Sequence, residues 1–261
     1  MIRSLYTAAT GMEAQQLQMD VISNNLANTG TTGYKKVRAE FEDLLADTLR
    51  GAQAPDPRGG APASPLQVGL GVRTGTTSRS FGQGALTGTS NALDLAIQGD
   101  GFFRVQRASG DVAYTRAGNF RVDATGRLCT ADGDLLDPAI TFPQDTTSVV
   151  VKPDGTVQAV VAGKDAPADL GQLQLARFPN PGGLETAGGN LLVATPASGE
   201  AVTLRPGEQG AGSIAQGYLE GANVQAVEEM INLISTQRAY ELNSKVIQTA
   251  DQMLQRLTSL R

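Results

Sequence analysis

The sequence AVEEMINLISTQRAYELNSKVIQTADQMLQRLTSL occupies residues 226–260 and predicts one long helix. Ten positions in it lie on one line with a mean spacing of about 3.7 residues, close to the period of an α-helix. The apolar members of this line are Val227, Ile231, Ile234, Leu242, Val246, Met253, Leu257 and Leu260. A second line through Ala226, Met230, Leu233, Tyr240, Ile247 and Leu254 widens the apolar face. Asn223 is the expected N-cap of this helix.

A second helical pattern lies at the N-terminal end. One line advances by steps of three and four residues and is almost wholly apolar, as in a coiled-coil seam. Its members are Leu5, Ala8, Met12, Gln15, Met19, Ile22 and Leu26. Ala14, Leu17 and Val21 form another line on nearly the opposite side, so one neighbour cannot bury both. We expect one of the two lines to stay exposed even if the terminal helices pair.

The residues between the two helices are typical of β-structure. Short apolar runs alternate with turn dipeptides, and residues 149–152 and 156–161 flank Pro153-Asp154-Gly155, which predicts a hairpin. Residues 51–65 are rich in Gly, Pro and Ala and predict an extended segment or exposed loop. If this segment lies along a polymer, it would brace neighbouring copies.

These patterns predict an α+β fold, with long N- and C-terminal α-helices packed as a coiled-coil-like pair and a central all-β domain. Residues 1–30 form the N-terminal helix of the core domain, and residues 216–261 form its C-terminal helix. Residues 31–84 form an extended or β connector that contains segment 51–65, and residues 85–215 form a β-rich outer domain. Each helix alone is also typical of the core of an ordinary globular domain.

The composition excludes several classes of function. The chain has no His, which removes Ser-His-Asp triads and His-based zinc sites, and its single Cys129 cannot form an intrachain disulfide. The net charge is −5, and the 21 Lys and Arg residues are scattered, which argues against nucleic-acid binding. Apolar runs are too short for a membrane span, and the N-terminus lacks the apolar core of a secretory signal peptide.

Short motifs indicate no catalytic residue, cofactor or metal. The Asp-Gly pairs at Asp100 and Asp154 lack the ligand density of a calcium loop, and turns explain them better. Gly82-Gln83-Gly84 does not continue into a nucleotide-binding motif. We expect Cys129 to be a small, semi-buried strand residue rather than a reactive thiol. The sequence therefore favours a protein that is not an enzyme.

Five strings carry a more specific signal. They are residues 24–35 (NNLANTGTTGYK), 91–103 (NALDLAIQGDGFF), 115–120 (TRAGNF), 217–224 (GYLEGANV) and 237–243 (QRAYELN). Together they resemble the flagellar basal-body rod and hook protein family. On this resemblance, the family motif comprises Asn24, Asn25, Asn28, Gly33 and Asn223. The opening MIRSLYTAATGM, the length and segment 51–65 are more similar to the distal-rod members than to the hook or proximal-rod members.

The resemblance implies a structural subunit that polymerises helically into the distal rod, the drive shaft of the flagellar basal body that transmits torque to the hook. It implies a homo-oligomer whose partners are the proximal rod and hook proteins, the P-ring and L-ring proteins and the flagellar type III export apparatus. It implies neither nucleic-acid binding nor membrane insertion. The rod would span the periplasm, and its subunits would be exported without a cleaved signal peptide.

The residues expected to carry assembly are apolar positions on the two terminal helices. They are Leu5, Met12, Leu17, Met19, Ile22, Leu26, Val227, Ile231, Ile234, Leu242, Val246, Met253 and Leu257. Phe41 and Leu45 resemble the short hydrophobic element that early flagellar export substrates present to the export gate, although the buried end of a short helix explains them equally well.

Two alternatives stay open at this point. The chain could be a hook or proximal-rod subunit of the same family. A protein of another class, a secreted β-rich binding module, would have terminal helices that pack only on each other within one subunit. Whether the apolar helix faces are buried within one chain or between chains separates the two classes.

Overall fold

The computed structural model describes residues 2–50, 66–162 and 166–259. Segment 51–65 and Leu260 lie outside the described residues, as does the side chain of Leu257. Within the described ranges, two long helices enclose a β-rich region in sequence: α1 spans Ile2–Ala27 and α2 spans Ala226–Ser259. The predicted α+β class is confirmed.

Twenty short strands lie between the helices in the described part of the chain. In the first half they are β1 Val37–Asp43, β2 Asp47–Arg50, β3 Leu66–Val68, β4 Val72–Arg79, β5 Leu86–Gly88, β6 Leu95–Gln98, β7 Phe102–Gln106, β8 Val112–Thr115, β9 Arg121–Val122 and β10 Leu128–Cys129. In the second half they are β11 Leu135–Leu136, β12 Thr146–Val151, β13 Thr156–Val161, β14 Ala168–Gln172, β15 Leu175–Arg177, β16 Glu185–Gly188, β17 Leu191–Val193, β18 Val202–Leu204, β19 Ser213–Gln216 and β20 Tyr218–Glu220. A 3₁₀ turn, Pro181–Gly183, precedes β16.

The chain divides into two compact units. The first, which we call the helical unit, comprises Met1–Leu26, Val37–Ser78 and Ala226–Arg261. Besides the helices it contains the strand pairs β1 with β4 and β2 with β3. The second, the β unit, comprises Ala27–Lys36 and Arg79–Gln225.

The β unit is built around a nine-stranded sheet. Its order is β16-β17-β8-β7-β11-β10-β9, with β15 pairing with both β7 and β18. Successive side chains of β7 point to opposite faces. Phe103 and Val105 therefore enter one buried cluster, while Phe102 enters another with Tyr114 and Phe178. Apolar side chains thus cover β7 on both faces, which explains its unbroken apolar start.

A separate meander of β12, β13 and β14 confirms the predicted hairpin. Val151 pairs with Val157 across the Pro153-Asp154-Gly155 turn, and Gly155 adopts a φ of +84°. An L side chain is strained at that φ, so the turn requires glycine. Cys129 lies in strand β10 as expected but is buried rather than semi-buried, and its thiol lies 3.5 Å from the carbonyl oxygen of Arg121.

The last two strands of the β unit pair with its earliest ones. β19 pairs antiparallel with β6, and β20 pairs antiparallel with β5. Residues 95–98 therefore do not form a hairpin with β7 across Gly99-Asp100-Gly101, although the Asp-Gly signal is present there. The partner strand lies more than a hundred residues away in sequence, where local turn signals carry no information about it.

Candidate assembly interface

The two terminal helices contact each other in an antiparallel arrangement within the helical unit. The side-chain amide of Asn25 in α1 donates a hydrogen bond of 3.4 Å to the Glu229 carboxylate in α2. Fourteen residues earlier in α1, a Cβ atom built on Gly11 would lie 3.0 Å from the side-chain amide nitrogen of Asn243. Gly11 precedes Asn25 by fourteen residues and Asn243 follows Glu229 by fourteen, so the two helices run in opposite directions with matched spacing.

The inward side of α2 repeats every seven residues. Glu229, Thr236, Asn243 and Ala250 lie on it, and all but the half-buried Asn243 are buried. A seven-residue repeat keeps one helix face toward a partner, as in coiled coils. The short side chains of Thr236, Asn243 and Ala250 allow the backbones to approach closely. The buried hydroxyl of Thr236 has a hydrogen-bond partner within the same helix, because it donates to the carbonyl oxygen of Asn232 at 2.8 Å.

The apolar line predicted for α2 lies on the exposed side of the helix. Val227 is 71% exposed, Ile231 61% and Leu242 65%. The same holds for the rest of the line with described side chains, namely Ile234, Val246 and Met253. The described residues leave this surface, which we call the α2 stripe, uncovered. An uncovered apolar surface of this length is typical of an interaction site.

Helix α1 differs from expectation, because neither of its two apolar lines is left exposed. Ala8 and Ile22 on the first line are buried, and the remaining apolar members are half-buried: Leu5, Met12, Met19 and Leu26. On the second line Ala14 is buried and Leu17 and Val21 are half-buried. The expectation of an exposed line on α1 was wrong, and the exposed line belongs to α2.

The connector between the helices supplies the second neighbour of α1. Arg3 forms an ion pair of 2.7 Å with Asp47, and the Thr10 hydroxyl accepts a hydrogen bond of 3.4 Å from the Val72 backbone amide. Arg3 and Thr10 lie on the same helical line as Ala14, at multiples of three and four residues. The line that cannot face α2 therefore faces the strands of the helical unit.

Asn25, a residue of the family motif, joins α1 to the first strand. Its side-chain amide donates to the carbonyl oxygen of Val37 at 2.8 Å and accepts from the Val37 amide at 3.0 Å. This two-bond ring reproduces the pairing of one peptide group with another, because the amide side chain carries both a donor and an acceptor. Asn24 is exposed, whereas Asn28 is half-buried and its side-chain oxygen accepts from the Thr31 hydroxyl at 3.1 Å.

Asn223 is not the N-cap of α2, because the helix begins three residues later at Ala226. Its amide instead bridges two segments of the β unit, accepting from the Lys36 backbone amide at 2.6 Å and donating to the carbonyl oxygen of Ser80 at 2.8 Å. Sequence spacing suggested a cap because Asn is common there. The Asn223 side chain instead makes these two tertiary hydrogen bonds, which local sequence does not encode.

Gly33 occupies a position that has no room for a side chain. Its φ is +70°, and an added Cβ would lie 2.6 Å from the Ala117 backbone nitrogen. Its amide donates to the carbonyl oxygen of Glu220 at 2.7 Å. The glycine of the motif is thus explained by close packing of three segments of the β unit.

A buried charge cluster, missed by sequence reasoning, lies beside Gly33. The Glu220 carboxylate is fully buried and accepts from the Lys35 ammonium at 2.6 Å, the Arg116 guanidinium at 3.2 Å and the Gly84 backbone amide at 2.9 Å. The pKa of Lys35 and that of Arg116 are lowered, chiefly by burial, with Glu220 acting against the shift. Lys35, Arg116 and Glu220 each lie within a segment that resembles the flagellar family, namely 24–35, 115–120 and 217–224. That resemblance was the only sequence signal for the cluster.

The candidate export residues lie on the surface of the helical unit. Phe41 is in β1 and 37% exposed, and Leu45 follows β1 and is 90% exposed. They are not the buried end of a helix, so the structural alternative for these residues was wrong. The described residues contain no cluster of side chains suited to a metal, and neither helix there has the length and hydropathy to cross a bilayer.

Comparison with known proteins places the chain among flagellar proteins. Three family models match it: "Flagella basal body rod protein" over residues 5–35, "Flagellar hook protein FlgE/F/G D1 domain" over 96–159, and "Flagellar basal body rod FlgEFG protein C-terminal" over 215–260.

Individual relatives agree. The chain is 49% identical over 261 residues to the flagellar basal-body rod protein FlgG of Caulobacter vibrioides, with 100% of each chain covered. It is 43% identical over 256 residues to FlgG of Borreliella burgdorferi, with 97% of each covered. It is 42% identical over 137 residues to the flagellar hook protein FlgE of Helicobacter mustelae, where the match covers 52% of this chain and 30% of the hook protein.

Proposed function

Since the chain belongs to the FlgG family of flagellar basal-body rod proteins, we propose that its copies polymerise helically into the distal rod and transmit torque to the hook. The family is structural, so the chain is a structural subunit of the flagellar basal body and not an enzyme. We infer the polymer, its distal position and its mechanical role from this family membership and from the exposed apolar face of α2.

The α2 stripe is the observation that carries the proposal. Transfer of large apolar side chains from water is worth roughly 1.5–3 kcal/mol each when burial is complete. Six such residues with described side chains line the exposed side of a helix whose other side already contacts α1. A second copy can cover the stripe, and contacts of this head-to-tail kind extend into filaments when they do not close into a ring.

The antiparallel contact between α1 and α2 supports a coiled-coil-like pair as the unit that stacks. The matched fourteen-residue separations equal two heptads on each helix. In such a pair, the inward heptad positions hold the two helices together, and the α2 stripe remains available to other copies. Sliding one helix past another would then separate side chains along the whole seam, which suits a shaft under torque.

The proposed environment follows from the family. The subunits would be exported by the flagellar type III apparatus without signal cleavage, and the rod would cross the periplasm inside the P and L rings, between the proximal rod and the hook. Phe41 and Leu45 are the proposed export element. The full-length match to rod relatives, against 30% coverage of the hook relative, favours the rod over the hook alternative.

The substitution Ile231→Asp tests the proposal. Ile231 is 61% exposed, so a carboxylate there costs the single chain little, but it would place a charge without a partner in the contact between copies. We expect the wild-type protein at high concentration to form straight filaments in electron micrographs and Ile231→Asp to form none, with unchanged melting of the β unit.

Gln237→Asp is the matched control, because Gln237 is an exposed polar position of the same helix. It should polymerise like the wild-type protein. Filaments of Ile231→Asp equal in number and length to the wild type would refute assembly through the α2 stripe, and curved filaments would favour the hook alternative.

A further inference from the structure

A pocket in the β unit combines an aromatic floor with a surplus of positive charge. It has a volume of about 230 Å³, room for one aliphatic side chain. Phe102 and Phe178 form the floor and are buried, with ring centroids 5.8 Å apart, while Asp100 and Arg177 lie exposed at the rim. The pocket is therefore reachable from outside and apolar at its base.

Arg116 gives the pocket its charge. The guanidinium is only 4% exposed and lies 5.4 Å from the centre of the Phe102 ring. Its Nη1 donates to Glu220 and its Nη2 to the carbonyl oxygen of Gly99, but its Nε has no hydrogen-bond partner among the described residues. A buried donor without a partner costs free energy, and an incoming acceptor would recover it.

Counting the neighbours shows that an anion suits this pocket. Of the charged residues that line the pocket, Arg116 and Arg177 are positive and Asp100 is negative. The buried Glu220 carboxylate, which does not line it, is shared between Arg116 and Lys35. The expected ligand thus carries a carboxylate next to an aliphatic group.

One segment of the chain has this chemistry and is not covered. Leu45 is 90% exposed, more than any other large apolar residue with a described side chain. Asp43, two positions earlier, is exposed and has no ion-pair partner in the part of the chain that the structure describes. Residues two apart in an extended chain project from the same side, so the carboxylate and the aliphatic group can be presented together. Export of an unfolded chain would not require Leu45 to be exposed in the folded one.

We propose that the loop Asp43–Asp47 of one copy docks into the Arg116 pocket of a second copy, with Leu45 on the phenylalanine floor and Asp43 paired with the cations. This docking deepens the proposed function, on which it rests, by naming a receptor and a plug that join copies away from the α2 stripe.

Cross-linking between two differently labelled proteins tests the docking. Both carry Cys129→Ser; one also carries Ala46→Cys beside the plug, and the other Asp100→Cys at the rim. A disulfide between them, formed with copper phenanthroline and measured by non-reducing electrophoresis and mass spectrometry, can only join separate copies. We expect several-fold more of it than with Tyr6→Cys in place of Ala46→Cys, since Tyr6 is an exposed position of the same unit.

Two further substitutions show whether the docking contacts cause the cross-link. Leu45→Ser on the first protein should lower the yield about tenfold, the effect of losing one buried aliphatic contact. Arg177→Glu on the second should lower it similarly, and Asp43→Arg on the first should restore it. Yields equal to the Tyr6→Cys control, or unaffected by Leu45→Ser, would overturn the proposal.

The outcome is separable from that of the proposed function, because electron micrographs of the same samples report filaments independently. Filaments without the specific disulfide would overturn the docking and leave the rod function standing. Absence of filaments at every concentration would count against the rod function, while the disulfide yield in solution would still decide the docking.

Discussion

Lys35 and Glu220 lie 185 residues apart in the chain and form an ion pair of 2.6 Å in which both side chains are buried. Gly84 and Arg116 donate to the same carboxylate, so one side chain ties together four segments of the β unit. Charges buried in this way stabilise only as a complete set, because each one alone would be costly to remove from water.

Glu220→Gln should therefore destabilise the β unit. It leaves two buried cations without their counter-ion, a change worth about 3 kcal/mol or more. Calorimetric melting of the β unit is the measurement, and Glu185→Gln, at an exposed position of the same unit, is the control. A melting temperature equal to that of the control would contradict the role of the cluster.

The lowered pKa of Lys35 predicts a dependence on pH. Burial makes the folded protein release the Lys35 proton more readily than the unfolded chain, whose lysine has a pKa of 10.5. Protonated Lys35 thus costs stability at pH values below its folded pKa, and this cost falls as the pH rises toward 10.5.

The comparison with Lys35→Arg isolates this effect, because arginine stays charged throughout. As the pH rises toward 10.5, the unfolding free energy of the wild type should rise relative to that of Lys35→Arg. Urea titrations at several pH values give the difference. A difference that is constant or falls with pH would show that burial does not control the Lys35 proton.

Gly33→Ala should destabilise the β unit by about 2 kcal/mol or more, since the left-handed conformation alone costs an alanine roughly 1–2 kcal/mol. The added carbon would also lie 2.6 Å from the Ala117 nitrogen. Gly30→Ala is the matched control, because nothing lies within 4 Å of its added carbon. Equal urea midpoints for the two variants would disprove the steric explanation.

How far the sequence predicts this structure depends on the range of the interaction. Helical periodicity located α1 and α2, and Asp-Gly turn chemistry located the β12–β13 hairpin, because both are local signals. The pairing of β19 with β6 and the convergence of Lys35 on Glu220 join distant segments, and no local pattern encodes them.

The sequence likewise predicts only part of the candidate interface. Periodicity identified the line of Ile231 and Leu242 as apolar, but it could not say which of two apolar lines would face α1. The contact with α1 was made instead by the side that carries Glu229 and Asn243, since small and polar residues there permit close approach. The more apolar line was left outside.

Phe41→Ala tests the proposed export element. Phe41 is partly exposed, so its loss should affect folded stability little, while the fraction of protein secreted should fall if the export gate recognises it. The measurement is secreted against cytoplasmic protein in a motile host. Val68→Ala, at another exposed apolar position of the helical unit, serves as control; undiminished secretion of Phe41→Ala would end the export hypothesis.

Amide hydrogen exchange on dilute monomer tests whether the terminal helices need a neighbour. Helix formation has a costly nucleus, and most helical stability comes from packing of the apolar face. Because the described residues leave the α2 stripe uncovered, residues 227–257 should exchange fast in the monomer and slowly in filaments. Residues 5–26 should follow, since α1 packs on α2, while the β unit is protected in both. Strong protection of both helices in the monomer would show that they are formed before assembly.

The β unit is sealed by strands that stand near its C-terminal boundary. A chain cut before residue 213 would leave β5 and β6 with unpaired edges and would leave Lys35 and Arg116 without Glu220. The β unit can therefore form all of these pairs only in a chain that extends at least to Glu220. That residue lies just before the start of α2, the helix that any further assembly would use.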